Sequence, residues 1–175
     1  MYTELYAQWG TPIFNNISQS EQRHFDALQV LLERYGLTDP ASNNEKGYFQ
    51  NWDLQTLYSD LVSQGKTSLS AALRVGATIE DLDIHDLNKA LASTDNDNLK
   101  TVYQNLLQGS QNHIQAFVGR LEAIGESYEA QYISAAELTE ILAKPDNAGN
   151  GNGRGRNRQR RLGQVNDAGR YGSNL

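Results

Sequence analysis

The chain has 175 residues, a formal net charge of −6 and no cysteine. That length points to one domain with an appended segment. The missing cysteines exclude disulfides, thiolate zinc sites and iron–sulfur clusters. No apolar run approaches the ~20 residues of a membrane span, and the N-terminal segment Met1 to Tyr6 has neither the basic start nor the apolar stretch of a signal peptide. A cytoplasmic protein without membrane contact is expected.

The charge is unevenly placed. Residues 145–175 hold six arginines against Asp146 and Asp167, a balance of +4, which leaves −10 for residues 1–144. An acidic body and a basic tail are therefore expected, dividing the chain at 1–144 and 145–175.

Tyr2, Leu5, Tyr6 and Trp9 mark a short leading helix, stopped by Gly10-Thr11-Pro12. A second helix is expected from Phe14 to Tyr35, closed by Gly36. Thr38 to Trp52 reads as a loop, with turn signals at Asp39-Pro40, Asn43-Asn44 and Gly47. Leu54, Leu57, Tyr58 and Leu61 suggest a short helix ended by Gly65. Thr67 or Ser68 caps the next helix, whose face runs through Leu69, Leu73, Gly76, Glu80, Asp83, Leu87 and Leu91 to Ser93.

The cluster Asp95 to Asn98 reads as a turn and cap for a long helix over about Leu99 to Ile124, ended by Gly125. Its stripe holds Val102, Tyr103, Leu106, Ser110, His113, Phe117 and Leu121. Ser134-Ala-Ala-Glu137 has the form of a capping box opening a final helix to about Ala143, before Lys144-Pro145. From Asp146 onward Asn, Gly and Arg dominate, the composition of a disordered tail. No stretch alternates like a strand, so the chain reads as all-α, an antiparallel helical bundle.

Ile17, Glu21, His24, Leu28 and Leu31 step by four, three, four and three along one helical face. A carboxylate and an imidazole in line with leucines are costly to bury without a partner. Glu80, with Asp83 as a spare, occupies the middle of one later helix, and Ser110 and His113 the middle of another. Mid-helix positions of an antiparallel bundle lie at similar heights. Glu21, His24, Glu80 and His113 are thus a candidate metal set, with N and O donors suited to iron, manganese or zinc. The alternative is a non-catalytic bundle in which the same groups form a buried hydrogen-bond network. His85 reads as a surface residue, and Tyr103 as core. A third feature is Gly153 to Arg161, whose five arginines could bind nucleic acid or another polyanion without sequence preference.

Several motifs together resemble an uncharacterised prokaryotic family of ferritin-like domains. They are Trp9-Gly-x-Pro-Ile-Phe-x-Asn-Ile17, Ser20-Glu-Gln-Arg-His24, Tyr35-Gly-Leu-x-Asp-Pro40, Val75-Gly-Ala-x-Ile-Glu-Asp-Leu-Asp-Ile84 and Asn105-Leu-Leu-x-Gly-Ser-x-Asn-His113. The resemblance spans residues 2 to 143 and implies a ferritin-like four-helix bundle with a carboxylate-bridged dimetal centre. It implies that Glu21 and His24 form the Glu-x-x-His of the second helix, that Glu80 is the third-helix carboxylate, and that His113 is the fourth-helix histidine. Iron or manganese would be the metal, and oxidase or peroxide handling the chemistry.

The chain departs from the pattern that the resemblance implies at two places. Ser110 stands where a carboxylate precedes the fourth-helix histidine in the superfamily. The first-helix glutamate should lie well upstream of Trp9, so an N-terminally truncated first helix is expected. Such a helix would leave a groove beside Phe25 and Leu106, inviting a homo-oligomer.

Overall fold

The computed structural model describes residues 1–41 and 45–145. Six helices and no strand are present among the described residues. They are α1 (Tyr2–Trp9), α2 (Pro12–Arg34), α3 (Trp52–Gly65), α4 (Leu69–Ser93), α5 (Asp97–Glu122) and α6 (Ala135–Leu142). Asn43-Asn44 and the basic tail from residue 146, with the disorder and polyanion binding expected of it, lie outside the described residues. No helix is long and apolar enough to cross a membrane among the described residues.

The helix ends obey local chemistry. Gly10 takes a left-handed φ of 62° and its N–H returns to the Tyr6 carbonyl, while Pro12 opens α2 where a missing N–H costs nothing. Asn51, Ser68, Asn96 and Ser134 each accept a backbone N–H of the turn they start. The Asn51 cap makes α3 a full 14 residues, longer than the apolar spacing from Leu54 to Leu61 suggests. In the expected capping box only the serine half acts locally. The Glu137 side chain instead accepts from Asn88 Nδ2 at 2.8 Å, tying α6 to α4.

Helices α4 and α5 form the centre. Phe117 lies against Gly76, and His113 lies against Glu80. Four residues forward on α4 match four residues back on α5, so the pair is antiparallel. A Cβ at Gly76 would sit 2.5 Å from the Phe117 ring, so the glycine sets how closely the two helices approach. Phe117 also packs against Phe14 of α2 and Tyr2 of α1, with ring centroids 5.8 Å and 5.7 Å away. Leu5, Phe14, Ala72, Ile84, Ile114 and Leu121, all fully buried, complete the core.

With eight residues, α1 pairs with only the first part of α2. It is anchored by Trp9 Nε1 donating to the Gly65 carbonyl at 2.8 Å and by Leu5 against Gly65. Beyond that level α2 lacks an α1 neighbour, which leaves Phe25 and Leu28 exposed (43% and 37%), although Leu28 lies on the apolar stripe and Phe25 beside it.

On another side of α4, the segment between α5 and α6 is fastened by one buried carboxylate. Asp81 accepts from the Tyr128 hydroxyl and from the backbone N–H groups of Gln131, Tyr132 and Ile133, at 2.6 to 3.3 Å.

Candidate metal centre

Glu21 of α2, Glu80 of α4 and His113 of α5 meet inside the helices. Glu21 Oε1 lies 2.9 Å from His113 Nδ1, and Glu80 Oε2 lies 3.4 Å from the same nitrogen. One donor atom of each residue falls within 4.8 Å of the others. Glu21 Oε1, Glu80 Oε2 and His113 Nδ1 are shielded from solvent and have no hydrogen-bond partner. The charges touch, but the ring N–H is not aimed to form a proper bond with either oxygen.

The opposite oxygen of each carboxylate is held. Tyr2 donates its hydroxyl to Glu80 Oε1 at 2.6 Å, and His24 Nδ1 lies 3.1 Å from Glu21 Oε2. Each carboxylate therefore has one oxygen fixed by a neighbour and the other turned toward His113 Nδ1. Partners placed this way orient metal-binding carboxylates.

His24 stands one step outside the three converging atoms. Its ring stacks on His113 with centroids 5.7 Å apart and rests on Gly109, where a Cβ would come within 2.5 Å of the imidazole. Asp83 is also outside the set. Ser110 is buried, and His85 is half-buried. Tyr103 is half-buried in the wall of a groove rather than in the core.

Electrostatics reflect the crowding. Burial works against the His113 cation, but Glu21 and Glu80 outweigh it and hold its pKa up to about 9. Burial raises Glu21 too, yet His113 and His24 bring it down to about 2. Glu80 is raised, with burial the largest cause. Burial, and after it the charges of Glu80, Glu21 and Asp86, pushes Asp83 up to about 8. Two carboxylates and an imidazole with unmet donor atoms suit a divalent first-row metal ion.

A groove of about 710 Å³ opens to solvent beside this cluster, and Glu21 is the member of the cluster that lines it. Phe25, Leu28, Phe49, Leu87, Tyr103 and Leu106 line its apolar part, and Glu21, His24 and Asp83 its polar part. It is the groove expected beside Phe25 and Leu106.

Two groups near the site have little signature in the sequence. Tyr2 has a faint one, a phenol on an otherwise apolar helical stripe. Asp81 has none, because its partners come from a segment about 50 residues away.

An all-helical protein with a carboxylate–histidine cluster between its helices is the class that this geometry defines. The chain belongs to the family described as "Uncharacterized protein domain (DUF2202)", whose model matches residues 1–145. It is 48% identical over 149 residues to the uncharacterized protein MJ0754 of Methanocaldococcus jannaschii, covering 85% of this chain and 80% of the relative. It is also similar to the crystal structure of hypothetical protein MJ0754, with a TM-score of 0.81 at 48% identity and 83% of each chain covered.

Proposed function

We propose that this protein is a ferritin-like metal protein in which Glu21, Glu80 and His113 hold a divalent iron or manganese ion. One observation carries the reading: Glu21 Oε1 and Glu80 Oε2 lie 2.9 and 3.4 Å from His113 Nδ1, and all three atoms are buried and lack hydrogen-bond partners. Buried polar atoms are normally satisfied, so three adjacent orphans call for a ligand. The ferritin-like arrangement is supported by Glu21-x-x-His24 on one helix and by a carboxylate and a histidine on two others.

A redox-active ion with an open coordination position would supply oxidase or peroxide-handling chemistry. The chain's own groups do the rest. The two carboxylates offset the ion's charge, and Tyr2 and His24 fix their angles. His113 must release the Nδ1 proton that Glu21 and Glu80 otherwise retain, so binding expels a proton. Ser110 leaves room where a further carboxylate would stand, and the groove gives small molecules a way in.

Elemental analysis of the purified chain tests the proposal. About one iron or manganese per chain is expected, and His113→Ala should carry none; undiminished metal in that variant rejects the assignment. A second reading, a metal-free polar network, is favoured by the 2.9 Å contact between His113 and Glu21. It predicts no stoichiometric metal under any loading condition.

A further inference from the structure

We infer that the groove beside the Glu21–Glu80–His113 cluster binds an apolar primary amine, with its ammonium group directed inward. This deepens the metal-centre reading by naming the class of molecule brought to that centre. Binding is read in the metal-free chain, where Glu21 is available to the ammonium; only a reaction of the bound amine would require the metal.

The cavity has the size of a small-molecule site, about 710 Å³. Its two ends differ. Phe25, Leu28, Leu87 and Leu106 give an apolar wall. From Glu21 to Leu28 that wall runs seven residues along α2, or about 10 Å at 1.5 Å per residue. An alkyl or aryl group of that length is thereby removed from water.

The polar residues select the head group. Among the described residues, Glu21, Asp83 and Asp86 line the groove, with no lysine or arginine, and His24 is its one basic residue. A carboxylate ligand would meet the Glu21 and Asp86 carboxylates there and be repelled. An alcohol would gain no charge complementarity. An ammonium donates to the Glu21 and Asp86 carboxylates and to the carboxyl oxygen of Asp83. Phe25, Phe49 and Tyr103 add ring faces that attract a cation.

Binding can be read without metal. The full chain, stripped with chelator and dialysed, is titrated calorimetrically at neutral pH with n-octylamine, n-octanol and n-octanoate. Octylamine is expected to bind at least tenfold tighter than either of the others. Ala90→Phe places a ring in the groove away from the triad, and should weaken octylamine at least tenfold while metal content stays as in the parent. Asp83→Asn combined with Asp86→Asn should reduce octylamine affinity toward that of octanol.

Equal or tighter binding of octanoate or octanol overturns the inference. So does octylamine affinity unchanged in Ala90→Phe, or no octylamine binding at all. Circular dichroism melts of the variants separate loss of binding from loss of fold. Octylamine binding in a chain that takes up no metal would uphold the groove and defeat the metal reading; the reverse result would do the opposite.

Discussion

Glu80 and Asp81 are consecutive, both are carboxylates, and both are fully buried at 0% exposure. Their surroundings are opposite. About 100° apart around α4, Asp81 faces four donors and Glu80 faces a phenol on one oxygen and His113 Nδ1 on the other. A carboxylate that fastens a loop is saturated with hydrogen bonds, because any donor left over would cost stability. A carboxylate meant for a ligand is aimed but incomplete. Adjacent positions of one helix thus separate a structural acid from a candidate functional one.

The largest test of that contrast is Asp81→Ala. It leaves the Tyr128 hydroxyl and three backbone N–H groups without their acceptor, and should cost roughly 3 kcal/mol or more in urea unfolding. Metal uptake by the fraction still folded should be unchanged.

Next come the two orienting groups. Tyr2→Phe and His24→Phe each remove the partner of one carboxylate oxygen. Metal affinity, measured by competition with a chelator, should fall about 10–100-fold for each. Unchanged affinity in both would mean that the fixed oxygens have nothing to do with a ligand.

Glu80→Gln sharpens the comparison from the other direction. In the metal-free protein it removes a buried charge whose Oε2 is unsatisfied, and should change stability by less than about 1 kcal/mol. A loss as large as that of Asp81→Ala would break the distinction between the two acids.

The smallest expected effect is the pH slope of metal-free stability. Glu21, held down to about 2 from 4.5, contributes stability that is present above pH 4.5 and lost as pH falls toward 2. His113 is held up to about 9 from 6.5, so its contribution is complete below 6.5 and lost as pH rises through 9. Asp83, up to about 8 from 3.8, weakens the fold over the interval between those values as pH rises. Metal-free stability should therefore decline from mildly acidic pH toward pH 9, in thermal melts across a buffer series. In metal-loaded protein the His113 part of that decline should vanish and the slope flatten, because binding requires His113 to lose its proton.

The boundaries of α1, α4 and α6 are legible in the sequence because glycine, proline and capping side chains act over three or four residues. The apolar repeat understates α3, because its cap, Asn51, precedes the first clear apolar step. The candidate site is legible where it coincides with periodicity: Glu21, Glu80 and His113, with His24 beside them, interrupt apolar stripes near helix centres. Leu28 shows the limit of the same signal. It lies on the stripe yet is partly exposed, because α1 is too short to cover that part of α2.

The sequence by itself determined the helices, their apolar faces and the polar residues placed on them, since these depend on local backbone chemistry and a 3.6-residue period. Only the tertiary structure decided which donor atoms converge, because side-chain meeting points depend on how closely helices approach. Gly76 allows Phe117 in beside Glu80 and His113, and Gly109 allows the His24 ring to lie over α5. It also decided that His24 braces Glu21 instead of joining the three atoms, that Tyr2 holds Glu80, and that Asp81 is saturated by a segment about 50 residues further along the chain. Those outcomes rest on contacts between distant parts of the chain, which no local pattern encodes.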